Sequence, residues 1–460
     1  MSDPEHAAPF LAGVIEGFYG RPWDLSQRST LFERMSAWDL NTYLYGPKDD
    51  LKHRAAWREE YSTEELAQLA QSVKAAQECG IRFVYAIGPG LDIQYSNDSD
   101  LQSLRCRFEQ LRTIGVVDFA ILFDDIPDAM SDEDRRRFGS FAVAQASVSN
   151  VLYRESRDLA PDSVFLFCPT PYCSRMDQEG LGGEGYLETI GHELEAGIQI
   201  FWTGPQIISR EVLESHLEAL TKRLRRRPLI WDNYHANDYD LRRLYTGPIA
   251  GRPEDPRKHL SGIMMNPNCE FEANYLPCFS LGRYVNPDGN YDPRRTYVEG
   301  LGLWLSAAFE SVGKAWTMEE LELFSSIYYL PFELGATAQK MLDDVSVLIQ
   351  EPQSQWGDQE SRFHDWRELI QSISVKLTEL KNRDLFYTFN RQWWEIREEF
   401  ELLARFIAHK KESGEGVPLP SSPEHLLGTY RGGAIHQLQG LLSMGSSGQF
   451  SEAQRKDQDK

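Results

Sequence analysis

The stretch FAILFDDIPDAM, residues 119–130, contains the pattern that decides the fold. Four apolar residues suited to a buried strand, 120–123, lead directly into Asp124 and Asp125. Two adjacent carboxylates repel each other and lose hydration when they are buried, so a chain keeps them at the end of a core strand only where something needs them. The acid pair therefore indicates that the end of this strand has a task beyond packing.

Eight apolar runs of this kind occur between residues 12 and 271, and a longer helix-like segment separates each from the next. The runs are AGVIEGFYG from Ala12, LNTYLYGPKDD from Leu40, RFVYAIGPGLD from Arg82, FAILFDDIPD from Phe119, SVFLFCPTPYC from Ser163, GIQIFWTGP from Gly197, PLIWDNYHAND from Pro228 and SGIMMNPNCEF from Ser261. Near-continuous apolar strands that alternate with helices indicate a parallel sheet covered on both faces. Eight such units predict an α/β fold, a (β/α)8 TIM barrel, at residues 9–300 after an N-terminal tail at 1–8.

The ends of these runs are rich in residues that can bind or react. In a (β/α)8 barrel the chemistry lies at the C-terminal ends of the strands and in the loops that follow them. The candidates are Glu16 with Tyr19, Lys48 with Asp49, Asp92, Asp124 with Asp125, Tyr172, Trp202, Asn233 with Asp238, and Asn266 with Asn268. For Asp49, Asp92 and Asn268 a helix cap or a turn is an equally good interpretation.

The composition argues against nucleic acid and membranes as partners. The chain has 460 residues, 41% apolar and 26% charged, as in ordinary globular proteins. Its 48 basic and 70 acidic side chains give a formal charge of −22, which opposes binding to polyphosphate backbones or anionic lipid. The basic run KRLRRRP at 222–228 could be a nucleic-acid patch, but the helix dipole also favours cations in the last turn of a helix.

Features of the sequence also point to a reducing compartment. No segment has the length and apolar character of a membrane span, and the N-terminus lacks the pattern of a secretory signal. The six cysteines include no C-x-x-C pair, and we interpret them as free thiols instead of disulfides or a zinc site. We therefore expect a cytoplasmic protein.

The pattern changes after residue 300. Apolar residues in 363–380 and 386–407 alternate spacings of three and four, which is typical of helices packed at a shallow angle. The segment KNRD at 381–384 is short enough to join them as an antiparallel hairpin. We predict an α-helical bundle, or stalk, domain at 301–443 and a disordered tail at 444–460. Because two or three helices bury such stripes poorly alone, we expect them to pack on the barrel or in a homodimer.

Two interpretations of the acid pair involve no substrate chemistry. Asp124 or Asp125 could cap the helix that follows, although later residues can do this without them: Asp128, Ser131 and Asp132. The pair could also belong to a metal site. A hard cation needs several more carboxylates, and zinc needs histidines. Only His235 lies near a strand end, and His53 follows one in a loop.

The third interpretation is glycoside hydrolysis. In most families two carboxyl groups flank the scissile bond, but neighbouring residues of a strand point to opposite sides, so Asp124 and Asp125 cannot easily serve as nucleophile and acid there. In an exceptional class the substrate supplies its own nucleophile, the 2-acetamido oxygen. One carboxylate then orients the acetamido N–H, and the other protonates the leaving oxygen. An acid pair at a strand end can serve both places.

Seven ordered stretches resemble the protein O-GlcNAcases, family 84 of the glycoside hydrolases. They are GVIEGFYGRPW, LNTYLYGPKDDLKHR, ILFDDI, FCPTPYC, WTGP, WDNYHANDYD and NPNCEFEAN, spread over seven of the eight βα units. The helical region resembles the stalk domain of that family. The resemblance implies a retaining exo-β-N-acetylglucosaminidase that removes O-linked GlcNAc from serine or threonine of proteins through an oxazoline intermediate, with no metal or organic cofactor.

The resemblance also implies roles for nine residues. Asp124 resembles the residue that polarises the acetamido group, Asp125 the general acid and later base, and Tyr172 the hydroxyl that steadies the acetamido oxygen. The residues that resemble the sugar-binding groups are Gly17, Lys48, Trp231, Asn233, Asp238 and Asn266. Three of the nine also have plainer interpretations: Lys48 as a surface lysine, Tyr172 as core packing and Asp238 as a turn residue.

Two other functions stay open from the sequence. The enzyme could act on glycans or small glycosides instead of glycoproteins, because the leaving group would lie outside the predicted sugar pocket. A catalytically silent barrel that binds amino sugars is the alternative from another class, although binding alone would not need an acid poised to donate a proton. The glycine-rich segment 178–185 could be a lid or an ordinary mobile loop.

Overall fold

The computed structural model describes residues 9–127, 129–287, 290–421 and 433–453. Its contacts divide the chain into two compact units. Unit 1 comprises the chain up to residue 239 together with 249–271 and 278–293, and unit 2 comprises 240–248, 272–277 and the chain from 294 onward. The tail predicted at residues 1–8 lies outside the described residues.

Unit 1 contains a closed parallel barrel in which each strand pairs with the next and the last pairs with the first. The strands are β1 Leu11–Glu16, β2 Thr42–Tyr45, β3 Arg82–Ile87, β4 Asp118–Leu122, β5 Phe165–Cys168, β6 Gln199–Trp202, β7 Leu229–Asp232 and β8 Gly262–Met265. Each strand begins within two residues of the start of one of the eight apolar runs. The predicted (β/α)8 barrel is therefore confirmed.

Helices connect the strands and cover the barrel. They are α1 Leu25–Ala37, α2 Thr63–Glu78, α3 Asp98–Arg112, α4 Asp132–Phe138, α5 Phe141–Leu159, α6 Ser174–Gln178, α7 Tyr186–Glu193, α8 Glu214–Leu224, α9 Pro256–His259 and α10 Tyr275–Val285. Local sequence sets where they begin. Asp24 and Ser62, for example, form capping boxes with Gln27 and Glu65 at the starts of α1 and α2.

Strand side chains divide between two hydrophobic layers. One cluster joins strand residues to the helices, while the other consists of residues from the strands and their flanks. In β4 this second cluster contains Ala120 and Leu122, and in β2 and β7 it contains Leu44 and Leu229. Because side chains alternate along a strand, this second cluster is the barrel interior. Residues that follow the last interior residue of a strand by two or four positions therefore face the mouth of the barrel.

Unit 2 is mainly helical. Its later elements are α11 Pro293–Ala308, α12 Met318–Ile327, α13 Ala336–Gln350, α14 Gln359–Thr378, α15 Arg383–Ser413, α16 Gly433–Gln439, β9 Leu442–Met444 and β10 Phe450–Glu452. The helical content after the barrel agrees with the prediction, and α14 and α15 are joined by a short turn in which Asn382 caps α15. The connection that follows β7, residues 240–248, also belongs to this unit. There the backbone N–H groups of Thr246 and Gly247 donate to the carbonyls of Tyr328 and Tyr329.

The structure differs from two predicted boundaries. Residue 300 falls inside α11, and the contacts place the change of unit at residue 294. The tail predicted to be disordered from residue 444 contains β10, which pairs antiparallel with β9 because Phe450 supplies a buried apolar anchor. Disorder from residue 444 is therefore wrong as far as residue 453, and residues 454–460 lie outside the described part.

Two further findings concern membrane-spanning helices and cysteines. Within the described ranges, no helix is long and apolar enough to cross a membrane. All six cysteines are free thiols, as predicted.

Candidate active site

A cavity of about 330 Å³ lies within unit 1 and is lined from the C-terminal ends of the barrel strands. All nine residues proposed from the sequence line it: Gly17, Lys48, Asp124, Asp125, Tyr172, Trp231, Asn233, Asp238 and Asn266. The volume is in the range of sites that enclose one small ligand. The barrel thus brings together residues that are up to 249 positions apart in the sequence, from Gly17 to Asn266.

The alternation of side chains explains why these residues meet. Asp124 follows Ala120 and Leu122 at intervals of two, and both of those residues lie in the barrel interior. Asn233 continues the same face from Leu229 and Trp231. Residues that continue an interior face past the end of a strand must point into the mouth of the barrel, so the strand register delivers them to one cavity.

Asp124 lies among positive charges. Its Oδ2 atom is 3.3 Å from Lys48 Nζ and 3.4 Å from Arg54 Nη1, and the three side chains are 13%, 6% and 9% exposed. Burial disfavours the ionised form of Asp124, but Lys48 and Arg54 outweigh burial and hold its pKa below the ordinary value. The Oδ1 atom is buried without a hydrogen-bond partner. Asp124 is therefore an anion with one oxygen left available to a ligand.

Asp125 has a different environment. Its backbone is left-handed, with φ of +48°, and its Oδ1 accepts a hydrogen bond of 3.0 Å from the Tyr172 hydroxyl. Burial, followed by the negative charge of Asp125, raises the pKa of Tyr172, so this hydroxyl stays protonated and donates. On a continuing strand Asp125 would point away from Asp124. The left-handed turn removes that obstacle, and both acids line the same cavity.

Amide groups form the opposite side of the cavity. Asn233 Oδ1 accepts hydrogen bonds from Trp231 Nε1 at 3.0 Å and from Asn266 Nδ2 at 2.9 Å, and Asn233 Nδ2 donates to the Ile207 carbonyl. The Asn233 amide is thus engaged with these groups, and Asp124 is supported by Lys48 and Arg54. Asn266 Oδ1 is buried without a partner and is a second open acceptor.

The rim of the cavity is formed after β1 and β7. Asp238 Oδ2 accepts a hydrogen bond of 3.0 Å from the backbone N–H of Tyr19, which links the two loops. The Tyr19 side chain is 52% exposed, and Lys48 Nζ lies 5.8 Å from its ring centre. Gly17 leaves space for an indole, because a Cβ atom there would lie 3.1 Å from Trp231 Cζ2.

Neither simpler interpretation of the acid pair fits this geometry. Ser131 caps α4 by accepting from the backbone N–H of Asp134, so Asp124 and Asp125 are not needed as caps. Asp128 lies outside the described residues. Two cationic side chains lie beside Asp124 Oδ2, and their positive charges oppose the binding of a metal ion there. Among the residues that the structure describes, no group of three or more His, Cys, Asp or Glu could hold a metal ion.

Several other strand-end candidates have structural partners. Glu16 is fully buried and accepts from Arg28, Tyr43 and the backbone of Trp23. Asp92 accepts from Trp57 and Arg58, and Trp202 donates to His216. The basic run is also used internally: Arg223 pairs with Asp177 and Glu188, and Arg226 donates to the carbonyls of Leu194, Glu195 and Ile198.

Sequence reasoning missed Arg54 and its neighbour His53 as parts of this site. Both lie in the quoted stretch LNTYLYGPKDDLKHR. Burial, with the charge of Lys48 added to it, lowers the pKa of His53 to about 3, so this residue is neutral and its Nδ1 bonds the Ala86 carbonyl. The need to neutralise a half-buried acid pair was a signal that could have led to the arginine.

Comparison with known proteins agrees with this geometry. A sequence model of the beta-N-acetylglucosaminidase family matches residues 12–314, which is more than half of the chain. The chain belongs to the beta-N-acetylglucosaminidase family. The matched range contains the barrel from residue 12 onward and all nine lining residues named above.

The relatives of this chain include curated and structurally solved proteins. The chain is 47% identical over 284 residues to the protein O-GlcNAcases of Rattus norvegicus and Mus musculus, covering 62% of this chain and 31% of each relative. It thus spans about a third of their length. A mutant O-GlcNAc hydrolase of Thermobaculum terrenum superposes with a TM-score of 0.77 at 28% identity, covering 88% of this chain and 85% of the other. The resemblance to the protein O-GlcNAcases is therefore confirmed.

Proposed function

We propose that this chain is a retaining exo-β-N-acetylglucosaminidase that removes single O-linked GlcNAc residues from serine or threonine of proteins. The observation that carries the proposal is the unequal partnering of two adjacent carboxyl groups in one cavity. Asp124 is paired with Lys48 and Arg54, whereas Asp125 accepts one hydrogen bond from Tyr172. Two acids with different environments suit two different tasks on one substrate.

In the first step the acetamido oxygen of the substrate attacks the anomeric carbon. The bond from that carbon to the leaving oxygen breaks, and Asp125 transfers its proton to this oxygen. Asp124 accepts the acetamido N–H through its open Oδ1 and stabilises the positive charge that develops on the oxazoline. Tyr172 turns its hydroxyl from Asp125 to the acetamido oxygen.

The second step reverses the roles. Asp125, now ionised, takes a proton from a water molecule that attacks the anomeric carbon from the face the leaving group vacated. The bond from the anomeric carbon to the acetamido oxygen breaks, the acetamido group re-forms, and the product keeps the β configuration. Apart from this water molecule, the bonds made and broken in the two steps belong to the chain and the substrate.

The rest of the cavity suits one N-acetyl sugar. Asn266 Oδ1 and Asp238 offer acceptors to hydroxyl groups, Lys48 offers donors, and Trp231 with Gly17 forms an apolar wall. A buried sugar is held by directional hydrogen bonds of this kind and by aromatic surface. A protein-linked sugar as substrate is supported by the names of the relatives, which are O-GlcNAcases and an O-GlcNAc hydrolase.

Turnover of two aryl β-N-acetylglucosaminides tests the mechanism. One carries the natural N-acetyl group and the other an N-trifluoroacetyl group, whose oxygen is a much weaker nucleophile. We expect the fluorinated substrate to react at least about a hundred times more slowly, since each factor of ten corresponds to only 1.36 kcal/mol in the barrier. Equal rates would show that an enzyme residue is the nucleophile. No turnover of either would favour the silent sugar-binding barrel.

Release of GlcNAc from a modified peptide tests the substrate class. A Ser-linked GlcNAc peptide and a chitobiose glycoside are compared by kcat/KM under the same conditions. We expect the peptide to be preferred. A preference for the oligosaccharide would assign the enzyme to glycans.

We also propose that unit 2 forms a homodimer interface through α15. Tyr387 and Trp394 lie seven residues apart, on one face of the helix, and are 70% and 54% exposed. Sedimentation analysis of the wild type and of Trp394→Glu tests this, with Val298→Glu on α11 as a control that also places a charge on an exposed apolar position. A dimer that only Trp394→Glu dissociates is expected, and a monomeric wild type would contradict the proposal.

A further inference from the structure

The backbone of Asp125 is unusual for its position. Among the described residues, three other than glycine have a clearly positive φ: Asp39, Asp125 and Arg225. Asp39 follows the C-cap of α1 and Arg225 is the C-cap of α8, where left-handed residues are common. Asp125 instead follows a strand, and no helix end explains it. Something else must stabilise its conformation, which is unfavourable for a residue with a Cβ atom.

Arg54 makes the contacts that this conformation requires. Its Nη2 atom donates to the carbonyl oxygen of Asp124 at 3.0 Å and to that of Asp125 at 2.9 Å. In an extended strand two consecutive carbonyls point to opposite sides. Their convergence on one nitrogen atom is possible only because the chain turns at Asp125. The guanidinium therefore bonds to the left-handed form of this segment and not to an extended one.

The position of Arg54 is fixed by the loop after β2. Its backbone N–H donates to Leu51, and the preceding His53 is held at both ends, by its ring to Ala86 and by its carbonyl to Gly88. The Arg54 side chain is only 9% exposed. The guanidinium is thus a rigid feature of the barrel mouth, which Asp124 and Asp125 must fit.

Lys48 and Arg54 both contribute charge to the site, but only Arg54 also contributes hydrogen bonds to the backbone. Both cations lie close to Asp124 Oδ2, at 3.3 and 3.4 Å, so either one favours the ionised carboxylate. Only Arg54 is hydrogen-bonded to the two backbone carbonyls. A lysine at position 54 would restore a charge but would lack the planar fork that reaches a carboxylate and two carbonyls together.

We propose that Arg54 is a positioning residue that stabilises the left-handed backbone of Asp125 and so aims its carboxyl group at the leaving oxygen. The proposal rests on the function proposed above for Asp125. Arg54 does not touch the substrate in this scheme. It acts through Asp125, so its loss should weaken acid catalysis and leave sugar binding largely intact.

Leaving-group dependence is the readout that separates positioning from a merely structural role. Arg54→Met and Arg54→Lys are assayed on an aryl glycoside with a good leaving group and on an alkyl glycoside with a poor one. For both variants we expect kcat on the alkyl glycoside to fall roughly 100-fold, within the range for general acid catalysis, with a several-fold smaller loss on the aryl glycoside and little change in KM. Arg58→Met, in the same loop but paired with Asp92 and Asp100, should match the wild type.

A double variant tests whether Arg54 acts through Asp125. In the Asp125→Asn background the further change Arg54→Met should not lower the alkyl glycoside rate appreciably, because the acid is already absent. Additive losses would overturn the proposal, as would equal losses on the two glycosides. Wild-type activity in Arg54→Lys would show that charge alone matters.

A crystal structure of Arg54→Lys, or of Arg54→Met, supplies a test that needs no activity. We expect the φ of residue 125 to leave the left-handed region and the distance from Tyr172 to Asp125 to lengthen. An unchanged φ overturns the proposal even if the enzyme is active. Lack of wild-type turnover would contradict the proposed function and leave this structural outcome to decide the positioning claim.

Discussion

The ends of β4 and β7 each present an acid beside an arginine, and they differ in how completely the acid is partnered. At β7, Asp232 is 1% exposed and receives both Nε and Nη2 of Arg252, at 2.7 and 2.6 Å, with the backbone N–H of Tyr234. At β4, Asp124 has longer contacts through a single oxygen, and its other oxygen has no partner.

This difference separates a structural carboxylate from one that is free to bind. Burial opposes ionisation of both acids, and neighbouring cations outweigh it, so the pKa of each lies below its ordinary value. Of these two acids, only Asp124 has a carboxylate oxygen that is free to accept a hydrogen bond from a ligand. A lowered pKa therefore does not identify a functional acid by itself, whereas an open buried oxygen does so more directly.

The largest expected effect is the loss of Asp125, the second of the two acids that follow β4. In Asp125→Asn, turnover of a GlcNAc peptide should fall by roughly 10³-fold, because a serine hydroxyl leaves poorly without a proton, while an aryl glycoside with a good leaving group is affected far less. Thermal unfolding should stay close to the wild type, since Asp125 is exposed. Equal losses on the two substrates would remove Asp125 from the role of general acid.

The corresponding change at β7 should act on stability instead. Asp232→Asn leaves Arg252 buried without its carboxylate, and we expect the free energy of unfolding to fall by roughly 3–5 kcal/mol in urea titrations. Asp240→Asn, which breaks a surface pair with Arg242, is the control and should change it by about 1 kcal/mol or less. If Asp232→Asn were as stable as the wild type, the carboxylate at β7 would not be structural, and the distinction between the two strand ends would fail.

The pH dependence sharpens the comparison further. Because the folded pKa of Asp124 is lowered, its ionised form persists below the unfolded value of about 3.9, and the stability it contributes is lost only as pH falls through the folded value. Removing one cation in Lys48→Met should raise that pKa. We therefore expect the acid limb of kcat to move to higher pH. An unmoved limb would show that Lys48 does not set the charge of Asp124.

The smallest effect is expected at the cavity wall. Gly17→Ala places a Cβ atom 2.9 Å from Ile15 Cγ2 and 3.1 Å from Trp231 Cζ2, so the indole must shift. KM should rise roughly tenfold, about 1.4 kcal/mol, with a smaller change in kcat. Gly302→Ala in α11, where a Cβ atom meets nothing within 4 Å, is the matched control. A KM equal to that of this control would place Gly17 outside the sugar pocket.

The fold and the members of the site were predictable for a definite reason. A period of two along each strand, combined with the rule that barrel chemistry lies at strand ends, leads to Asp124, Asn233 and Asn266 without coordinates. The same rule places Asp125 on the face that points away from the barrel interior. Its left-handed turn depends on Arg54, which lies 71 residues earlier in the chain, and no local pattern announces such a contact.

Boundaries and ordered ends were harder to predict for a similar reason. The segment 444–460 is polar enough to suggest disorder, yet Phe450 pairs with Met444 and with the distant Leu419. One buried aromatic residue can order a short hairpin when its partners come from elsewhere in the chain. Composition averages over such residues and misses them.

The backbone hydrogen bonds of the connection between β7 and β8 have a consequence for folding during synthesis. Thr246 and Gly247 donate to the carbonyls of Tyr328 and Tyr329, which a ribosome adds some 80 residues later. Until that segment emerges from the ribosome, these two backbone N–H groups between β7 and β8 lack the acceptors that they have in the native structure. Translation must therefore run well past the last strand before this part of the nascent chain can reach its native state, and a pause in that interval is where a chaperone would be needed.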